Sequence, residues 1–298
     1  MERIITVFTP TYNRACTLEG LYSSLVQQTS HSFEWLIVDD GSTDGTEELI
    51  RYFSTNCTLF PIRYYKKQNG GKHTAINKGV GLASGYLFFI VDSDDYLKDN
   101  AIELILLWEQ SIFAEEGFAG ISGNRGFSTN ILIGKTFDGE FVDATALERN
   151  KYNILGDKAE VYYTDILKKY PFPVFENENF LTESIVWNRI AADGYKIRWY
   201  NRIIYITEYL DDGLTKKYSR LLSENPKGFA LDIVERVKLC NYSKHEIDSE
   251  YFNYFISEKN VIGFTRAAEN LGVSKVQLLK SIIFYYLRVF IGKVKRKI

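Results

Sequence analysis

Apolar and polar positions follow two alternating periods through the first hundred residues. Short runs of apolar, β-branched and aromatic residues at 4–8, 33–38, 62–65 and 86–91 have the length and character of buried strands. The segments between them carry helical spacing. Leu18, Leu21, Tyr22, Leu25 and Val26 mark the first helix. Asp44 and Glu47 stand at capping-box spacing where the second begins. The third opens at Asn69-Gly70-Gly71-Lys72-His73-Thr74 and has small residues at Ala75, Gly79 and Ala83, which allow close packing on a sheet. Strand and helix in alternation imply right-handed crossovers and a parallel sheet.

The pattern is less regular further on. Residues 98–113 read as an amphipathic helix, and 118–122 and 131–133 as short strands. Residues 156–170 read as one undivided segment, ended by Pro171-Phe172-Pro173. Helical spacing returns over 179–192, and 195–209 alternates like a pair of strands. From about Leu221 helical patterns dominate. A boundary near Asp211-Asp212-Gly213 therefore divides the chain into residues 1–215 and a mainly helical region, 216–298. The final stretch, 280–298, mixes apolar and aromatic residues with five basic ones between Arg288 and Lys297. It is too interrupted to span a bilayer. It suits either a helix lying in an anionic membrane interface or a helix packed on the domain with a basic tail.

Chemistry concentrates at two strand ends. The fourth apolar run closes in Asp92-Ser93-Asp94-Asp95, three carboxylates in four positions, and the second closes in Asp39-Asp40. Open α/β sheets bind ligands at the carboxyl ends of central strands. Carboxylates there are hard oxygen ligands suited to Mg²⁺ or Mn²⁺, which in turn hold phosphates. The same residues could also form an acidic turn in which Asp94 or Asp95 caps the helix starting near Asp99 or Asn100. Two acidic ends on one edge would then need two separate accidents. Lys72 stands at a glycine-led helix start, where backbone N–H groups and the helix dipole favour phosphate, or it is a solvated lysine. His73 has no second histidine or cysteine at ligand spacing and reads as structural.

Composition narrows the classes. A net charge of −2 argues against a nucleic-acid binder. Cys16, Cys57 and Cys240 lie far apart with no CxxC spacing, as expected of reduced thiols in a cytoplasm. The opening residues read as a strand and not a signal peptide. Aromatics at 15% are compatible with sugar-binding faces as well as core.

Four motifs in order, Thr9-Pro10-Thr11-Tyr12-Asn13-Arg14, Asp39-Asp40-Gly41-Ser42, Gly70-Gly71-Lys72-His73-Thr74-Ala75-Ile76-Asn77 and Asp92-Ser93-Asp94-Asp95, resemble the inverting family 2 glycosyltransferases. The likeness covers roughly residues 3–215. Glu178-Asn179-Phe180-Leu181-Thr182-Glu183 and Tyr209-Leu210-Asp211-Asp212-Gly213-Leu214-Thr215 resemble bacterial members that build surface polysaccharides. The resemblance implies a GT-A fold, an α/β Rossmann-like mostly parallel sheet flanked by helices, here with a mainly helical C-terminal extension. It implies transfer of a hexosyl or N-acetylhexosaminyl group from a UDP-sugar, with inversion, to a hydroxyl of a lipid-linked glycan. Thr9, Pro10 and Tyr12 would line the nucleobase pocket, and Asp40 would accept the uracil N3–H. Lys72, Asp92 and Ser93 would complete the nucleotide site. Asp92, Asp94 and Asp95 would hold Mn²⁺ or Mg²⁺, Asp95 alternatively linking donor and acceptor sites. The catalytic base would be Glu183, with Glu178 next and Glu176 behind it. The family's acidic pair reads Glu183-Ser184 here, so its second acid, often the base elsewhere, is missing. A lipid-linked acceptor favours membrane contact through 280–298 and a cytoplasmic location on the inner face of the cell membrane.

Two other functions compete with that expectation. A sugar-phosphate nucleotidyltransferase also uses aspartate-bound metal, but wants a glycine-rich loop with arginine after the first strand, where this chain has Thr9-Pro10-Thr11-Tyr12. A nucleotide-sugar-binding scaffold without turnover fits Ser184, although it does not explain the intact three-acid motif.

Overall fold

The computed structural model describes residues 5–208 and 214–295. The expected boundary at 211–213 lies outside the described residues, as do Ile4, Tyr209, Leu210 and the last three residues of the basic end. Two compact units emerge, Met1–Val174 with Arg189–Asp211, and Phe175–Asn188 with Asp212–Ile298.

The first unit is organised by one sheet. Strands β1 (Ile5–Thr11), β2 (Phe33–Asp39), β3 (Ile62–Lys66) and β4 (Leu87–Ile90) alternate with helices α1 (Leu18–Val26), α2 (Thr46–Asn56) and α3 (Lys72–Leu82). Next come β5 (Tyr96–Leu97), α4 (Ala101–Gln110), β6 (Phe118–Ser128), β7 (Ile131–Leu132), β8 (Phe141–Ala144), β9 (Lys158–Tyr163), α5 (Thr164–Leu167) and β10 (Lys196–Ile206), while α6 (Ser184–Ala192) belongs to the second unit up to Asn188. The sheet runs β3-β2-β1-β4-β9-β6-β10-β5, with β7 on β6 and β8 on β10. β9 is antiparallel to both β4 and β6, so β6 and its parallel neighbour β10 point the same way as β4. The carboxyl ends of β1, β2, β4, β6 and β10 therefore share one edge.

Every position of β1 and β2 is buried, which is why their sequences are continuous apolar runs without alternation. Tyr22 of α1 stacks on Phe53 of α2 with ring centroids 4.0 Å apart, over Trp35. Phe8 stacks on Phe88 at 4.9 Å and turns its ring toward α3. A Cβ at Gly79 would come within 2.2 Å of that ring, so the small residue expected to let α3 approach the sheet is required there.

Several expected elements change. The strand expected at 118–122 continues to Ser128, and 195–209 is one long strand rather than a pair. Helix α6 starts at Ser184, not 179, because Asn177 takes a left-handed φ of 65° and the backbone N–H groups of Asn179 and Phe180 bond to the Asn225 side chain. No capping box forms at Asp44. Its carboxylate instead accepts the N–H groups of Thr46 (3.1 Å) and Ala15 (3.2 Å), while Glu47 pairs with Arg51 and Lys66.

Residues 158–163, undivided in the sequence reading, form the strand that joins the two halves of the sheet. It carries a lysine with 2% exposure, Lys158, whose ammonium donates to the Lys135 carbonyl at 2.9 Å. Burial, then the Arg149 cation, pulls this amine down to about 8. Unfolding restores the ordinary lysine value, so above pH 8 the unfolded chain binds the extra proton and stability rises with pH. Lys158→Met is expected to remove that rise, worth about 2 kcal/mol between pH 8 and 10 relative to the unsubstituted chain, in urea unfolding at several pH values.

The second unit contains α7 (Leu214–Glu224), α8 (Pro226–Leu239), α9 (Lys244–Glu258), α10 (Gly263–Asn270) and α11 (Lys275–Lys295). Ile233, Phe252, Tyr254, Ala267, Leu271, Leu278 and Ile282 form its core. A capping box, Ser243 with Glu246, starts α9.

Candidate active site

The shared edge of the first unit brings together most of the residues singled out by sequence. At β1 and β2, two loops are stitched to each other. Asn13, in a left-handed conformation at φ 53°, donates its N–H to Ser42 Oγ (2.8 Å) and accepts the Thr43 N–H (2.8 Å). This leaves Tyr12 at the turn with 49% of its surface exposed, able to stack on a planar base. Thr9 cannot contribute its side chain to such a pocket. It is fully buried, and its hydroxyl accepts the Trp35 indole N–H at 3.0 Å. Pro10 is buried beside it.

Asp39 and Asp40 part at the strand end. Asp39 accepts the Ser42 N–H (2.7 Å) and the Tyr64 hydroxyl (2.6 Å), and so closes the turn. Asp40 accepts the N–H groups of Gly70 (3.0 Å) and Gly71 (2.7 Å) and pairs with Lys67, which also donates to Thr74 Oγ1 (2.8 Å). Gly41 makes this crossing feasible: its φ is 91°, and a Cβ would meet the Asn69 nitrogen at 3.1 Å. The carboxylate expected to face uracil is thus built into the glycine loop before α3. Lys67, absent from the sequence reading, is its counter-ion.

At β4 the acids also diverge. Asp92 lies 2.6 Å from the Lys72 ammonium and 3.6 Å from Arg125. Burial pushes its carboxyl up, but these two cations outweigh burial and hold it below the ordinary value. Asp95 turns inward. It accepts the Tyr205 hydroxyl (2.6 Å) and the Glu208 N–H (3.0 Å), and is 4% exposed. Burial, then the Asp92 charge, raises it to about 7. Asp95 thus supports the loop, with one bond accepted by each oxygen. Ser93 is buried. Asp94 remains half-buried, its carboxyl pushed up by burial and then by Asp92.

Arg125 was also missed by sequence. Its guanidinium lies 4.1 Å over the Tyr205 ring, contacts Asp92 and Asp95 at 3.6 and 3.7 Å, and donates through Nε to the Lys158 carbonyl at 2.9 Å. Tyr205 completes the clamp by accepting the Asp92 N–H at 3.0 Å. His73 is 3% exposed, burial holds its imidazole below the ordinary histidine value, and its Nδ1 has no partner among the described residues.

The candidate bases belong to the second unit. Glu178 caps a helix: its carboxylate accepts the N–H groups of Lys227 and Gly228, both at 2.8 Å, at the start of α8. Glu176 is exposed. Glu183 lies immediately before α6, its carbonyl accepting the Val186 N–H at 3.0 Å. The Ser184 hydroxyl that replaces the family's second acid donates to Asp232 Oδ1 at 3.1 Å, and Thr182 donates to the same oxygen at 2.9 Å. Arg236 holds the other oxygen of Asp232 at 2.9 Å and reaches on to Glu250. The residues flanking Glu183 are thereby tied to a carboxylate from α8.

No three His, Cys, Asp or Glu side chains converge as a ready metal cage among the described residues. Mg²⁺ sites of nucleotide enzymes commonly use one or two carboxylates and let substrate phosphates supply the rest. Half-exposed Asp94, close enough to Arg14 and Lys72 to feel their charge, fits that kind of donor set beside Asp92.

The family model for Glycosyl transferase family 2 matches residues 6–115. Chondroitin synthase from Pasteurella multocida (strain Pm70) is 38% identical over 103 residues, 35% of this chain and 10% of its own length. The GalNAc(5)-diNAcBac-PP-undecaprenol beta-1,3-glucosyltransferase of Campylobacter jejuni subsp. jejuni is 27% identical over 60% of this chain and 55% of its own. The chain therefore spans about a tenth to a half of the length of these relatives. The structure of S. aureus TarS 1-349 in complex with UDP-GlcNAc superposes with a TM-score of 0.62 at 17% identity, covering 93% of this chain and 81% of that one. Residues 6–115 thus match glycosyl transferase family 2, and the chain shares the α/β fold of the TarS structure.

Proposed function

We propose that the protein transfers a sugar from a UDP-sugar to a hydroxyl of a lipid-linked glycan, with inversion, in polysaccharide assembly. The observation that carries this reading is the 2.6 Å pair between Lys72, at the N-terminus of α3, and Asp92, the first acid of the strand-end cluster. It sets a phosphate-binding cation and a cation-binding acid on one edge with Tyr12 and Asp40. An ammonium has three donors, so Lys72 can keep Asp92 and still bond a diphosphate oxygen. Tyr12 stacks on the base, and the free capacity of the Asp40 carboxylate accepts the uracil N3–H. Asp94, with Asp92, holds Mn²⁺ or Mg²⁺. The ion would supply charge stabilisation to the departing diphosphate. Arg125 fixes the direction in which Asp92 faces.

Glu183 is the proposed base, taking the proton from the acceptor hydroxyl. Asp232 replaces in space the acid that Ser184 lacks in sequence, by holding Thr182 and Ser184 on either side of Glu183. The lipid-linked acceptor takes support from the undecaprenol-linked acceptor in the Campylobacter relative's name.

The test is release of UDP from a panel of UDP-sugars, with Mn²⁺ or EDTA. Lys72→Met removes a charge-assisted hydrogen bond to phosphate, worth about 1.5–3 kcal/mol, and is expected to lower kcat/KM about 10- to 100-fold. Turnover of GDP-sugars with none of the UDP-sugars would refute the donor assignment.

A further inference from the structure

The 21-residue helix α11 is apolar on two faces. One is spent: Leu278 and Ile282 enter the core, Tyr285 stacks on Phe252 at 3.9 Å, and Ser281 and Arg288 bond Asp248 at 2.7 and 3.5 Å. The other is open. Val276, Leu279, Ile283, Tyr286 and Leu287, with Phe284 at the margin, recur at helical spacing, and each is between 45% and 61% exposed. The stripe runs about 16 Å along the helix. A soluble helix normally meets water with a polar second face, so this one lacks its partner.

The charge around the stripe says what that partner is. From Asn270 to the last residue the sequence has seven lysines and arginines and not one acid. Lys275 and Lys280 are exposed, Lys280 one turn from Val276 and from Phe284. We propose that this face of α11 docks on an anionic lipid surface, the apolar stripe entering the acyl boundary and the lysines meeting the headgroups. A second copy of the chain fits less well, because it would bring exposed Lys275 and Lys280 against the same cations of its partner. The helix lies on the membrane and does not cross it: among the described residues no helix is long and apolar enough to span a bilayer. The surface deepens the proposed reading, since a lipid-linked acceptor is met at such an interface. Vesicle binding needs neither nucleotide nor acceptor, however, so it can fail while the donor assignment stands.

The experiment is co-sedimentation of the full chain with phosphatidylcholine vesicles, with and without phosphatidylglycerol. Binding to the anionic vesicles only is expected, weakening at high salt. The triple variant Leu279→Glu, Ile283→Glu, Leu287→Glu alters exposed positions and should keep the Tm while reducing anionic-vesicle binding about tenfold or more. Equal binding to both vesicles, binding to neither, or unchanged binding by the variant would overturn the proposal. So would a dimer in light scattering that the same variant dissociates, which would give the face to a second copy.

Discussion

Glu183→Gln is expected to lower kcat about 10²- to 10⁴-fold while leaving KM for the donor unchanged. A sugar hydroxyl is scarcely acidic, so attack on the anomeric carbon needs a carboxylate to take its proton as the new bond forms. Glutamine preserves the shape and loses the base. Position 183 stands at a helix start with intermediate burial, so loss of the carboxylate charge there should cost about 0.3–1 kcal/mol of stability. Single-turnover rates at saturating donor check this. A wild-type rate would remove Glu183 from the chemistry. Asp232→Asn, which weakens the bonds from Thr182 and Ser184, should lower kcat less and leave the pH at which the base titrates as the informative readout.

Asp40→Ala is the second large effect, and it falls on stability and binding together. The carboxylate is 4% exposed and holds Lys67 with two backbone N–H groups of the loop before α3. Removing one member of a buried pair leaves the other charge uncompensated, at a cost of about 3 kcal/mol. In a domain of this size that is a Tm lower by about 6–12 °C. Lys67→Met should cost less, because Asp40 keeps the Gly70 and Gly71 donors. Removing both charges in one chain should recover part of the loss. Urea unfolding of the three variants decides the matter. A double variant as unstable as the sum of the singles would mean that the pair is not coupled.

The first four strands and three helices were legible because each β–α unit is local and the runs of β1, β2 and β4 are buried on both faces. β9 was not. It is antiparallel in an otherwise parallel region, and it carries Lys158 and Glu160 at positions where a strand signal wants apolar residues. The acids of the site were legible because three carboxylates at a strand end are conspicuous. Their partners were not. Lys67 meets Asp40 27 residues away, Tyr205 meets Asp95 110 residues away, and Ser184 meets Asp232 48 residues away, so no periodicity connects them. One signal was available: two acidic strand ends packed into one edge require buried cations, and Arg125, in a run of small residues Gly120, Gly123 and Gly126, was a candidate. Glu178 looked catalytic for the same reason that it caps a helix: a carboxylate near N–H groups serves either purpose.

This edge is proposed to bind a uridine diphosphate through a divalent cation. Thermal unfolding with UDP, GDP or CDP, each with Mn²⁺ or with EDTA, tests it directly, since a ligand selective for the folded state raises Tm by mass action. At a hundredfold excess over Kd the stabilisation is about 2.7 kcal/mol. A rise with UDP that requires Mn²⁺ and disappears in Asp94→Asn is expected. No shift with any nucleotide, or a shift with GDP alone, would contradict it.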